Sequence, residues 1–339
     1  VIYLPKKGSF SMIKNYVESE FAPLKRVILA QSQFYIPKEK ENAETNFLSE
    51  NLPKLEENGK EVFGDVAELY PDLQKQWEQE KNEMNRLLVS YGIEVVRPRL
   101  LTDYEKELSI QTGDGYANFF SRDPFFTVGN LIIEGCLRFP HRRLEILAMR
   151  NLLIAESQSK ESLYFATPQP DISDGETSEA GPFLEGGDIL VYGKTIFVGY
   201  SGLASNIVGI KWLESVLVHW DYKVVPVRLH KDILHLDCAL SLVKEGLMIC
   251  CEEAFLDGIP KELKSWLSIK ISLKEASLLM ANGLPINESV YITDSSFTRI
   301  IKELESYGIK VETLDYQVSR RFGGSFRCTT QALLRNNNE

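Results

Sequence analysis

The chain has 339 residues, 44% of them apolar and 25% charged, enough to bury one large core or two ordinary ones. Its 38 Lys and Arg against 48 Asp and Glu leave a net charge of −10, which argues against a nucleic-acid partner, because phosphate binding draws its affinity from clustered cations. A cationic small substrate fits that balance, although solubility accounts for it equally well. No run approaches the roughly 18 consecutive apolar residues of a membrane span, and the opening from Val1 to Gly8 lacks the apolar stretch and cleavage site of a signal peptide. The expectation is a cytoplasmic chain without a membrane partner. It begins with Val rather than Met, which leaves a trimmed start open. The 5 cysteines, odd in number and without CxxC or zinc-type spacing, fit a reducing compartment with at least one free thiol.

In chain order, PLKRVILAQ from Pro23 is a strand-like run, and residues 37–65, rich in Lys, Glu and Asn, read as a solvated insertion. Leu88 to Arg99 (LVSYGIEVVRPR) has the pattern of a helix end, a turn and a β-branched strand, and it recurs at Leu217 to Arg228 (LVHWDYKVVPVR) and Leu304 to Asp315 (LESYGIKVETLD). A second unit is a hairpin behind polar residues. Asp123 leads into PFFTV, Gly129-Asn130 and LIIEG; Asp188 into ILVY, Gly193-Lys194 and TIFVGY; Asp237 into CALSLV, Glu245-Gly246 and LMICC. GGSFRC at 323–328 leads similarly into TTQALL, and PLKRVILAQ is a fifth, weaker version. Between these, Pro140 is expected to start a helix with Leu144, Leu147, Ala148 and Leu152 on its apolar face. Residues 167–182, rich in Pro, Gly and acids, form a loop ahead of Glu185, either a binding loop or plain disorder. Chemistry-capable residues thus recur at one phase of every module. Modules arranged about a pseudo-symmetry axis would bring them to one place.

Of the histidines, only His235 lies at that phase, while His141, His219 and His230 read as surface or near-surface residues. If His235 to Cys238 is extended, His235 and Asp237 face one way and Leu236 and Cys238 the other. Cys136, Cys238, Cys250 and Cys251 lie in apolar runs, where a thiol acts as a small hydrophobe. Cys328 follows Gly323 and Gly324, which permit close backbone approach, and the cation Arg327.

Taken together, SRDPFFTVGNLIIEG at 121–135, LEGGDIL at 184–190, LHLDCALSLV at 234–243 and GGSFRCTTQALLR at 323–335, with PLKRVILA near Leu24, resemble the guanidino-group-modifying (pentein) superfamily of amidinotransferases, arginine deiminases and dimethylarginine hydrolases. The stretch after SRD is most similar to the amidinotransferase branch. The resemblance implies an α/β fold, a five-bladed, pseudo-fivefold α/β propeller of repeated ββαβ modules, in one catalytic domain spanning 1–339 with its core at about 20–335. It implies Cys328 as nucleophile, His235 as general acid and base, Glu185 as the carboxylate orienting that histidine, and Asp123 and Asp237 as the grip on a guanidinium. Asp188, Arg122 and Arg327 are secondary candidates, and Arg122, Arg320 and Arg321 read by default as surface arginines. The expected partners are a guanidino donor such as arginine and an amine acceptor. The mechanism needs no cofactor and no metal, and a homo-oligomer is left open.

The chemistry accounts for these residue types. A guanidinium is planar, delocalised and permanently charged, so its carbon resists attack until carboxylates hold its nitrogens. A thiolate then adds to the carbon and a histidine protonates the departing amine. Carboxylates around a thiol should raise its pKa, and a bound cation about 4 Å away, worth roughly 4 kcal/mol at an effective dielectric of 20, offsets about three pKa units. The expectation is that substrate itself ionises Cys328. GluGlyGlyAsp and Arg327 lean toward the deiminase branch, whereas the 131–153 region and the length favour transfer, the reading adopted. A cysteine peptidase or acyltransferase would want oxyanion-hole donors rather than acids in two further modules. A non-catalytic binding module could lose its nucleophile freely, and a metal site of His235, Asp237 and Cys238 is disfavoured by the alternation of an extended strand.

Overall fold

Short hairpins with strands buried on both faces organise the molecule. Phe125–Val128 is buried at every residue, as is Leu247–Cys250, whereas the outer strands Leu163–Ala166, Leu267–Lys270 and Lys310–Leu314 are largely exposed or half-buried. Strands of the first kind can lie only inside, and those of the second kind only at the rim. The computed structural model describes residues 15–36, 56–57, 60–61, 63–113, 115–139, 142–158, 161–171, 173–175 and 178–337. Most of the 37–65 insertion, and His141, lie outside the described residues.

Five mixed sheets share one construction: an antiparallel pair, then a third strand parallel to the pair's central member. The second module pairs Phe125–Val128, Leu131–Glu134 and Leu163–Ala166 in this way; the third, Ile189–Tyr192, Thr195–Tyr200 and Lys223–Arg228. Leu240–Lys244, Leu247–Cys250 and Leu267–Lys270 form the fourth, and Leu284–Asn287, Val290–Asp294 and Lys310–Leu314 the fifth. A parallel neighbour needs a crossover, supplied by the helices Leu147–Ser157, Ile207–Leu217 and Thr298–Ser306, while turns at 261–265 serve the fourth module. Hairpin turns at Gly129, Gly193 and Gly246 carry φ of 53°, 54° and 77°, the region open to glycine.

The first module corrects the sequence reading. Leu24–Leu29 pairs antiparallel with Thr330–Arg335 and parallel with Glu94–Val96, which follows the helix Pro71–Ser90. The two runs read as separate hairpins are therefore one sheet closed from both ends of the chain. The hairpin absent from that reading is Leu284–Asp294, preceded by Asn282. A second difference concerns the helix expected from Pro140, which lies outside the described residues: the helix begins at Leu147, after turns at 143–146, and buries Ala148, as expected, together with Met149 and Leu153, while Leu152 packs at the edge of the core.

Consecutive modules touch, and the last returns to the first. Thr330–Arg335 meets Phe125–Val128, Cys136 bridges to Leu184, and the turn Leu236–Ala239 meets Ile189–Tyr192; Leu240–Lys244 meets Leu284–Asn287, which meets Leu24–Leu29. The residue phase that precedes each first strand is thereby gathered at one end of the inner strands. Among the described residues no helix is long and apolar enough to cross a membrane.

Candidate active site

Cys328 lies on the loop between the helix Gln317–Arg321 and the strand Thr330–Arg335. Gly323 has φ of 84°, and a Cβ on Gly324 would come within 2.4 Å of the Phe120 ring, so both glycines are required by the path of the loop. The Cys328 N–H donates to Asn282 Oδ1 at 3.1 Å, and the N–H groups of Ser121 and Arg122 both donate to the Cys328 carbonyl at 3.2 Å. Cys328 is buried, its Sγ 3.8 Å from Asp237 Oδ2. Burial, then the charges of Asp237 and Asp123, push its thiol well above the usual range.

Glu185-Gly186-Gly187-Asp188 also owes its glycines to close approach. A Cβ on Gly186 would lie 1.9 Å from the Arg122 carbonyl, and one on Gly187 2.7 Å from the His235 ring and 2.8 Å from Asp123 Oδ1. Without them the histidine could not reach its acids. His235 Nε2 donates to Glu185 Oε2 at 2.8 Å, and its Nδ1 is 3.9 Å from Asp123 Oδ1. Burial by itself would lower the His235 pKa, but Asp123, the Glu185 hydrogen bond and Asp188 raise it to about 10, so the ring is an imidazolium at neutral pH.

Arg142 completes this side. It donates to Asp123 Oδ2 at 2.8 Å, to Glu185 Oε2 at 3.3 Å and to both oxygens of Glu145, with Phe120 against its face. Burial would raise both acids, yet His235 and Arg142 hold Asp123 and Glu185 below their ordinary pKa. Asp123, Glu185 and His235 offer ligand atoms within 4.8 Å of one another, a set that could hold a metal. Arg142 and the imidazolium already compensate those carboxylates without an ion.

The structure brings Cys328, His235, Glu185, Asp123 and Asp237 together, all nearly or fully buried, but not by the expected local geometry. Leu236–Ala239 is a helical turn, not a strand, and only His235 ahead of it is extended, so period-two alternation does not apply. The His235 ring goes to Glu185, whereas the Asp237 carboxylate lies by the thiols of Cys328 and Cys238. Asp188 holds backbone: it accepts from the N–H groups of Leu236 at 3.0 Å and Ser205 at 3.2 Å, and burial raises its pKa to about 7.

The default reading of the arginines fails for Arg122, which is buried; Arg320 is paired with Asp294. Arg327 is buried too, with Nε and Nη2 on the two oxygens of Glu20, Nη2 also on the Ile189 carbonyl, and Nη1 on Asp237 Oδ2 at 2.8 Å. It thus braces a site carboxylate rather than facing outward to a substrate carboxylate. Sequence reasoning missed Glu20, Arg142 and Asn282. For Asn282 a signal existed: it precedes its first strand by two residues, as Asp123 and Cys328 do.

Residues 65–335 match a family model described as N,N dimethylarginine dimethylhydrolase, eukaryotic. The chain belongs to this family. Its relatives by sequence include amidinotransferases, and its structural neighbours include both amidinotransferases and dimethylarginine hydrolases. Inosamine-phosphate amidinotransferase 1 of Streptomyces glaucescens is 27% identical over 288 residues, covering 77% of this chain and 81% of the relative. An amidinotransferase of the saxitoxin biosynthetic pathway from Microseira wollei superposes with a TM-score of 0.78 at 22% identity, covering 96% of this chain and 98% of that one. The dimethylarginine hydrolase of Pseudomonas aeruginosa superposes at 0.63 with 17% identity, covering 91% and 99%.

Proposed function

We propose that the enzyme transfers the amidino group of arginine, or a related guanidino donor, to an acceptor amine through an amidino-cysteine at Cys328. The observation that carries this reading is the convergence of two carboxylates from different modules, Asp123 and Asp237, about a buried thiol and a histidine paired with Glu185. Asp123 and Asp237 grip the donor guanidinium, whose positive charge lowers the pKa of the Cys328 thiol. The thiol proton passes to solvent as the guanidinium binds, His235 being already protonated, and the thiolate adds to the guanidinium carbon. The imidazolium of His235 gives its proton to the departing amine, and Glu185 keeps the ring oriented. In the second half the neutral ring takes a proton from the acceptor amine as it attacks, and the thiolate departs.

The cyclic order of contacts supports reading the five sheets as blades of one pseudo-fivefold propeller, with the site at its axis. The free, buried cysteines support a reducing compartment, and we assign the cytoplasm. Hydrolysis is the second reading, favoured by the name of the matching family model: a terminal guanidinium nitrogen leaves as ammonia in place of the ornithine amine, and water in place of the acceptor amine then frees the carbon from Cys328 as citrulline. Incubation with arginine, with and without glycine or lysine, separates the two. Ornithine formed only with an amine present supports transfer, citrulline and ammonia support hydrolysis, and no product and no amidino-sized mass gain on Cys328 overturns both for arginine as donor.

A further inference from the structure

Arg122 precedes Asp123, yet its guanidinium takes no part in the carboxylate network around His235. The residue is only 5% exposed, and among the described residues its side chain makes one hydrogen bond, from Nε to the Arg327 carbonyl at 3.3 Å, and no ion pair. With Glu20, Thr127, Gln331 and Arg335 it lines a cavity between the inner strands, where about 10 Å3 is open to the centre of a water-sized sphere. The Thr127 hydroxyl, buried in the same wall, has no hydrogen-bond partner. Thr127, whose hydroxyl has no partner, and Arg122, whose terminal nitrogens have none among the described residues, therefore line one small space.

Its charge does not balance. Arg122, Arg327 and Arg335 lie within electrostatic reach of one another, and the carboxylates that act on them are Glu20 and Asp237. Both of those are bonded to Arg327, and Arg335 spends its donors on the carbonyls of Ala22 and Pro285. Three cations face two anions, so one positive charge is left; neither Arg335 nor Arg122 is bonded to an acid, and among the described residues only Arg122 of the three makes no hydrogen bond from its terminal nitrogens. Burial, then Arg327, depress the Arg122 pKa to about 9, the direction expected of an uncompensated cation. A water could satisfy Thr127 but leaves the charge in place. A carboxylate or phosphate exceeds the space.

We propose that this cavity binds a small monovalent anion of halide size, held by the Arg122 guanidinium and the Thr127 hydroxyl. The ion neutralises Arg122, whose backbone N–H and Nε hold the carbonyls of Cys328 and Arg327, so it stiffens the nucleophile loop from behind. A ligand of the folded state alone stabilises it by mass action.

The test does not depend on the reaction. Thermal unfolding is measured while sodium gluconate is replaced by sodium chloride or bromide at constant ionic strength, and crystals grown in bromide are examined for anomalous scattering. The expected result is a saturable rise in Tm with either halide, with a bromide peak between Arg122 and Thr127. Thr127→Val, which keeps the shape and removes the hydroxyl, should weaken the halide response several-fold. A wild-type Tm indifferent to the anion, a bromide-free cavity holding water, or a Thr127→Val variant with an undiminished halide response would each overturn the proposal. An enzyme inactive toward every guanidino donor would leave these readouts intact.

Discussion

The two sides of the site differ in how their charges are met. On the acid-base side, His235, Glu185, Asp123 and Arg142 are hydrogen-bonded or within 4 Å in an alternating network, and each ionisation is held in place by an opposite neighbour. On the nucleophile side, the Cys328 thiol faces Asp237 Oδ2, an oxygen that Arg327 also holds while the rest of that guanidinium is bonded to Glu20, and no cation is bonded to the thiol itself. One side is settled before substrate arrives and the other is not. A cation must come to the thiol, and a guanidinium is such a cation. The difference teaches that acidity near a nucleophile is a device for substrate-dependent activation when a positively charged substrate completes the charge pattern.

The comparison breaks most visibly with Cys328→Ala. Turnover should fall by a factor on the order of 10⁴ or more, as when the nucleophile of a covalent mechanism is removed, with unchanged circular dichroism and no amidino adduct by mass spectrometry. Activity near wild type would place the nucleophile elsewhere. Next in size, Asp237→Asn should lower kcat/KM for the donor by about 10²-fold or more while making the free thiol easier to ionise. Iodoacetamide alkylation against pH reads the second effect: in the wild type the rate should climb only above pH 9, and in the variant at lower pH. An unreactive guanidinium analogue should shift the wild-type profile the same way, and a wild-type thiol already ionised below neutral pH would refute substrate-dependent activation.

The acid-base side is probed by pH and stability. His235 has a folded pKa of about 10 against an ordinary 6.5, so its contribution is whole below pH 6.5 and is lost as pH rises through 10. Urea unfolding at pH 7 and pH 10.5 should show a larger loss for the wild type than for His235→Asn. Equal losses would mean that the ring is not held as an imidazolium. Smaller still is Glu20→Gln, which loosens the Arg327 brace and should raise KM for the donor about tenfold with little change in kcat. Asp188→Asn marks the lower bound: it should cost about 1–3 kcal/mol of stability and move the alkaline limb of the kcat pH profile to lower pH, because the Asp188 charge helps to raise the His235 pKa.

Much of this was legible along the chain. The recurring hairpins exposed four of the five loops that build the site, and residue types at one phase named Cys328, His235, Glu185, Asp123 and Asp237. The module joined from both termini was misread as two, because strand partners about three hundred residues apart leave no local trace. Asn282 was overlooked with its hairpin for a related reason: an amide that donates and accepts in a turn looks like any loop residue until a partner from another module meets it.

What the sequence determines alone is the inventory and its spacing: apolar inner strands that must be buried, glycines where chains must cross closely, and acids, a histidine and a thiol a few residues ahead of four of those strands. Only the tertiary structure decides which acids become a grip and which become struts. Asp188 and Asp237 occupy the same phase, yet one is surrounded by backbone N–H groups and the other by thiols and Arg327. The physical reason is that a carboxylate's role is set by what surrounds it after burial, and those surroundings come from distant segments of the chain. Arg122 makes the same point: its place beside Asp123 is written in sequence, but its uncompensated charge arises only where three arginines and two acids meet at the centre of the fold.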